Sequence, residues 1–310
     1  MGNYLNQDGK KFYEITHSDI YVDKTELLTY TNSVLQTLQK YICISRPRRF
    51  GKSITASMIA AYYSRGCDAK ELFSPYKIAR NLDFDTYRNK YNTLFLNMQE
   101  FLSRTKNIYE LLDRMKRLVL RDLKREYPNV DYFDDTDVIE CMQDVYAQKK
   151  QPFIIIIDEW DCIFREYKQD KEAQEIYLDF LRDMLKDKSC IALAYMTGIL
   201  PIAKYSSGSE LNMFWEYTMA SEAKYNEYFG FTDSEVDQLY EKYTRNTREI
   251  HISREDLKEW YDGYTTKSGE RMYNPRSVVL ALTNNNIGNY WTSSGPYDEI
   301  FYYIRQNIDD

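Results

Sequence analysis

The sequence predicts an α/β fold, a parallel sheet covered by helices over residues 1–220, followed by a smaller, mainly helical domain over 221–310. Three observations predict it. Runs at 41–45, 93–97, 153–158 and 190–197 are apolar on consecutive positions, as strands buried on both faces are. Helical patterns separate them, long enough that neighbouring strands cannot pair as hairpins and are joined by crossovers instead. Beyond about residue 220 no such run returns, and helix start and stop signals take over.

In chain order, "YICIS" (41–45) is the first strand, and "ITASMIAAYYSR" behind it has no helix breaker until Gly66. "TLFLN" (93–97) is the second strand, and "IYELLDRMKRLVLRDLKREY" then repeats its apolar residues at three and four. "FIIIID" (153–158) is the third strand, "AQEIYLDFLRDMLKD" an amphipathic helix, and "CIALAYMT" (190–197) the fourth strand. In the second part, Thr232 and Glu235 form a capping box, Ser253 opens a helix that stops at Gly263, and Asn274 caps another with Pro275 at its first position. Ser268-Gly269 supplies the turn of a short hairpin within "TTKSGERMY". A winged-helix-like arrangement is one form this part could take.

Composition narrows the function classes. The longest aliphatic run, Phe153 to Ile157, is too short to span a bilayer, and Met1 to Lys10 lacks the pattern of a secretory signal, so the expectation is a soluble, cytoplasmic chain. Five cysteines without a Cys-x-x-Cys pair predict reduced, buried thiols rather than disulfides or zinc. With two histidines, His17 and His251, and no Gly-x-Ser-x-Gly elbow, there is little material for a hydrolytic triad. A net charge of −7 tells against a nucleic-acid sleeve, and the 30 tyrosines are spread along the chain as packing residues.

The chemistry gathers at "SRPRRFGKS", 45–53. A phosphate-binding loop needs a strand, a turn of exposed backbone N–H groups, and a helix whose N-terminus faces the anion. All three are present, which makes the α/β fold that of a P-loop NTPase. Gly51, Lys52 and Ser53 match the end of G-x-x-x-x-G-K-[ST], with Arg46 where the first glycine stands. The stretch Pro47, Arg48, Arg49, Phe50, Gly51, Lys52, Ser53, Ile54 is therefore the candidate nucleotide-binding segment. The second element is "FIIIIDEWD": Asp158 closes a buried strand, where it could hold magnesium with Ser53, and Glu159 could orient the attacking water. A solvated acidic turn is the plain alternative. Thr197 closes the next strand and could report the γ-phosphate, or be a turn-forming Thr-Gly. Arg46, Arg48 and Arg49 would offset phosphate charge, or be solvated, or pair with the acids of "DEWD".

"YVDKTELL", "SRPRRFGKS", "IDEWD", "TGILPI", "WYDGY" and "YNPRS…YW" together resemble the bacterial AAA-ATPase-like proteins, P-loop NTPases related to archaeal and STAND-type ATPases. The resemblance covers nearly the whole chain, and in that family Arg-Pro-Arg-Arg-Phe-Gly-Lys-Ser is the usual form of the loop. It implies Gly51, Lys52 and Ser53 for phosphate and magnesium, Asp158 and Glu159 as the Walker B pair, and Tyr21 to Thr25 beside the base. Trp160 stands where the family more often has tyrosine, and Arg276 where "YNPWS" is more usual, which puts a lid contact there in doubt. Members commonly continue into a PD-(D/E)XK nuclease-like domain. Here the expectation is either a truncated chain or a stand-alone module, since the Glu222-x-Lys224 pattern lacks a strand and a partner acid.

The function expected is Mg2+-dependent ATP hydrolysis, with Lys52, Glu159 and Thr197 as the catalytic set and Ser53 and Asp158 at the metal. The rival is a nucleotide-gated scaffold that binds ATP with negligible turnover and recruits a partner or a nuclease domain. ATP or ADP is the expected ligand, with a protein partner or a second copy open and no membrane. Nucleic acid is a third, less favoured partner.

Overall fold

The computed structural model describes residues 2–202, 205, 210–219 and 224–290. Its main sheet is parallel, in the order β2-β3-β4-β1-β5, with β1 Tyr41–Ser45, β2 Asn92–Asn97, β3 Phe153–Asp158, β4 Ile191–Gly198 and β5 Trp215–Thr218. The four expected strands are there. Alternating residues of one apolar run serve opposite faces: Ile155 and Ile157 join a core under helices Ile108–Glu126, Val138–Lys149 and Lys171–Leu185, while Ile154 and Ile156 join another with helices Leu27–Val34 and Lys52–Tyr63.

The fifth strand was not expected. β5 is a short edge strand with Trp215 half exposed, so it lacks the continuous apolar signature of its neighbours. Among the described residues no helix is long and apolar enough to cross a membrane.

The second part contains helices Asp233–Asn246, Arg254–Tyr261 and Pro275–Asn284, beside a small antiparallel sheet in the order β6-β8-β7, with β6 Phe231–Thr232, β7 Tyr264–Thr265 and β8 Arg271–Tyr273. β7 and β8 are the expected hairpin, and β6 is an addition. The Thr232 capping box, the Ser253 cap and the Asn274 cap with Pro275 behind it all form. Ile20 and Val22, far off in sequence, pack against the core of this part, so the segment before helix Leu27–Val34 touches both halves of the chain.

Candidate nucleotide site

β1 ends at Ser45, and helix Lys52–Tyr63 starts after a six-residue loop in which Arg49 (φ 71°) and Gly51 (φ 85°) are left-handed. Left-handed residues turn successive N–H groups toward a common concavity, the shape that binds an anion. The loop side chains divide between inside and outside. Arg46 is fully buried; its guanidinium donates to Ser45 O (2.9 Å), Tyr217 O (2.6 Å) and Asn226 Oδ1 (2.6 Å) and lies over the Phe229 ring. This corrects the expectation that Arg46 adds charge beside the phosphates: its charge is turned into the protein, and a long side chain fits where a glycine would otherwise stand.

Phe50, too, turns its side chain inward. Its ring is buried in a cluster with Met219 and Met272 and meets Tyr264 edge-on at 4.7 Å, so only its main chain is left to line a cavity. Its carbonyl accepts from Gly230 N (3.2 Å), and Arg48 O accepts from Asn274 Nδ2 (3.4 Å). Pro47 is buried and offers its carbonyl to Lys52. The Lys52 ammonium donates to Arg46 O and Pro47 O, both at 2.9 Å. Burial pulls its pKa down, against the opposing pull of Glu159, Asp161 and Asp158.

Across the sheet edge, Asp158 pairs in register with Thr197 of β4 on one side and Asn97 of β2 on the other. Thr197 Oγ1 donates to Asp158 Oδ1 (2.5 Å) and Asn97 Nδ2 to Oδ2 (3.4 Å), so the buried carboxylate is held at both oxygens. Thr197 is fully buried and lines neither of the two cavities at the loop, so its hydroxyl meets the aspartate. Glu159 has a left-handed backbone (φ 58°), which costs a non-glycine residue of order 1–3 kcal/mol and persists only where its surroundings fix it. Its carboxylate is ion-paired to Arg165.

The turn after β3 is bound to the end of β4. Trp160 N donates to Thr197 O, and buried Asp161 accepts through Oδ2 from Ile199 N (3.0 Å) and Leu200 N (2.9 Å). Burial pushes the Asp161 carboxyl up, while Arg165 and those two amides pull it back. Gly198 is required here by space. A Cβ would lie 2.5 Å from Trp160 Nε1 and 2.9 Å from Asp161 Oδ1.

Two cavities meet at the loop. One, of about 610 Å³, is lined by Gly51 to Thr55, by Ile20, Tyr21, Val22 and Lys24, and by Phe231, Pro275 and Arg276 of the second part. The other, of about 720 Å³, is polar and lined by Asn97, Glu100, Arg165 and Lys11 among others. Arg48, Ser53 and Glu159 line both. The stretch expected beside the base therefore opens on the same space as the loop, and Arg276 does reach it. Arg49 sits close enough to Arg276 and Arg48 for their charges to lower its pKa after burial has done so, a concentration of positive charge suited to a polyphosphate.

Ser53 lines both cavities with a hydroxyl, while the Asp158 carboxylate is fully buried and lines neither; both are hard oxygen donors of the kind magnesium takes, the aspartate through intervening water. Among the described residues no group of three His, Cys, Asp or Glu side chains could hold a metal alone. Glu222 and Trp291 lie outside the described residues. Lys224 rests over the rings of Tyr30, Tyr217 and Tyr225.

The family model described as "Predicted AAA-ATPase" matches residues 9–207. The chain belongs to this AAA-ATPase-like family. It is a P-loop ATPase module by family and fold, with a central parallel sheet between helices. A curated relative, "Uncharacterized protein in vnfD 5'region" of Azotobacter chroococcum mcd 1, is 25% identical over 285 residues, 89% of this chain and 50% of that protein. The chain thus spans about half the length of the relative it matches. Among solved structures, similarity is found to Cdc6p of Pyrobaculum aerophilum (TM-score 0.42, 10% identity, 91% of this chain and 68% of that one). It is also found to Aeropyrum pernix ORC1 in complex with DNA (TM-score 0.43, 10% identity, 95% and 70%). At those scores the likeness carries no argument about what this AAA-ATPase-like chain binds.

Proposed function

We propose that this AAA-ATPase-like chain binds Mg-ATP in the paired cavities and hydrolyses it by in-line attack of a water on the γ-phosphorus. The observation that carries the reading is that Ser53 of the loop and Glu159 of the acidic turn line both cavities together, because β1 and β3 flank β4 and release their chain ends at one sheet edge. The main chain from Pro47 to Ile54 cradles the phosphates, and Lys52 exchanges two loop carbonyls for the β- and γ-phosphate oxygens. Ser53, and Asp158 through water, would hold magnesium, and the ion would offset charge on those oxygens. Thr197 and Asn97 fix Asp158, and Glu159 orients and deprotonates the water. Arg48, Arg49 and Arg276 add positive charge around the triphosphate.

Residues 1–220 would then form the nucleotide domain and 221–310 a lid, since Phe231, Pro275 and Arg276 line the 610 Å³ cavity together with the loop. The test is a pair of variants. Lys52→Ala is expected to lose nucleotide binding, whereas Glu159→Gln keeps bound ATP and stops phosphate release. Steady-state phosphate release unchanged in both purified variants refutes the assignment.

A further inference from the structure

Glu159 is a half-buried carboxylate on a strained backbone at the sheet edge, and a side chain outside every motif of the sequence pairs with it. Arg165 lies in helix Cys162–Glu166, is itself nearly buried at 10% side-chain exposure, and pairs with Glu159 through Oε2. Arg165 is also fixed from behind. Its Nε stands 3.4 Å from Oδ2 of Asp161, the carboxylate that accepts from Ile199 N and Leu200 N at the end of β4. Glu159, Arg165, Asp161 and the turn after β4 thus form one chain of contacts, leading from the sheet edge to the carboxylate beside Ser53.

We infer that Arg165 is the positioning residue of this site: it holds Glu159 by Oε2 so that the other oxygen, Oε1, faces the water to be activated. The inference rests on the hydrolysis reading above and adds a residue to it. The physical reason is that a glutamate has three side-chain torsions, and an unanchored carboxylate samples positions from which the proton cannot be taken. A displacement of about 1 Å at a reacting group costs about 100-fold in rate. Anchoring through a nearly buried guanidinium, whose charge Asp161 also faces, removes that freedom. Arg165 lines the 720 Å³ cavity with Glu159 and Ser53 but not the 610 Å³ one, so it stands on the Glu159 side of the paired cavities, where its loss bears on the rate more than on nucleotide affinity.

The experiment compares Arg165→Ala, Arg165→Lys, Glu159→Gln and the double variant Arg165→Ala/Glu159→Gln. It measures kcat for phosphate release, the Kd of a fluorescent ATP analogue, and the thermal midpoint. Arg165→Ala is expected to lower kcat by about 100-fold with Kd within twofold, Arg165→Lys to recover a large part of the rate, and the double variant to be no slower than Glu159→Gln. Four results overturn the proposal: kcat of Arg165→Ala within threefold of the parent, a Kd weakened in step with kcat, no recovery by lysine, or a further loss of rate in the Glu159→Gln background. Should Arg165→Ala fail to fold, Arg165→Met, which keeps the apolar stem, carries the same comparison. A Glu159→Gln variant that hydrolyses ATP normally defeats the hydrolysis reading itself, an outcome separate from an inert Arg165.

Discussion

Replacing Phe50 by alanine separates two pictures of the loop. If the ring faced the nucleotide, truncation would weaken binding and leave the fold intact. In the structure the ring has no exposed surface and fills a pocket among Met219, Met272 and Tyr264. Phe→Ala at such a site costs about 3–5 kcal/mol, from lost transfer energy and the cavity left behind. Part of that is the edge-on pair with Tyr264, a contact type worth about 0.5–1.5 kcal/mol. Two flexible methionines can lean into the void, which favours the lower end, about 3 kcal/mol. At about 2 °C per kcal/mol for a chain of this size, the thermal midpoint of the nucleotide-free protein falls by about 6 °C. Phe50→Leu, closer in volume, loses about 1 kcal/mol. The assay is far-UV circular dichroism on heating, beside ATP-analogue binding at a temperature where both proteins are folded. A midpoint within about 1 °C of the parent, with binding abolished, would show that the ring belongs to the ligand and that the packing argument is wrong.

Gly198→Ala is expected to destabilise by about 1–3 kcal/mol, because its Cβ would overlap a tryptophan with no exposed surface and no room to turn; a urea midpoint equal to that of the parent would refute this. Burial pushes the Cys67, Cys141 and Cys190 thiols up to about 11, whereas an unfolded thiol loses its proton near 9.0. Between those values the folded chain holds more protons than the unfolded one, so this contribution is whole below about pH 9 and is lost as pH rises toward 11. Urea midpoints are expected to fall from pH 8.5 to 10.5, and to fall less when the three cysteines are replaced by alanine; an equal fall in both proteins would contradict the sign.

The sheet was readable because its strands are buried on both faces, and that condition writes consecutive apolar residues into the sequence. β5 escaped for the converse reason: at the sheet edge, Trp215 and Glu216 need no burial, and pairing with β1 is a tertiary fact. Ser53, Asp158 and Glu159 were legible because strand, glycine and acid occur in an order that chemistry requires. Asn97 carried a fainter signal, a polar residue closing the second apolar run at the register of Asp158. Arg165 carried none, since one arginine on a short helix is ordinary until the fold shows which carboxylates it meets. The directions of the Arg46 and Phe50 side chains were not legible, because a motif gives the spacing of residues and not where their side chains point.

Those two directions bear on how the loop is held. Arg46 ties it to Tyr217 and Asn226, and Phe50 seats it between Met219 and Met272, so both anchors reach the stretch that leads from β5 into the second sheet, and β8 beyond it. Lys24 adds a third tie from the other side of the cavity, its ammonium bonded to both carboxylate oxygens of Glu235 at 2.6 and 2.7 Å, and Glu235 in turn caps Thr232. A change of loop shape on filling would therefore pull on the root of the second part, while a change at the second part would move Phe231 and Arg276 at the cavity wall. Removing one partner of a nearly buried ion pair costs about 3–5 kcal/mol, since the other charge is left behind. Lys24→Met should accordingly lower the thermal midpoint and weaken ATP-analogue binding together, and Lys24→Met/Glu235→Leu should recover most of the stability, less about 1 kcal/mol for the lost half of the Thr232 capping box. Binding that stays weak in the double variant would place the tie itself in the coupling; binding and stability both untouched by Lys24→Met would remove it.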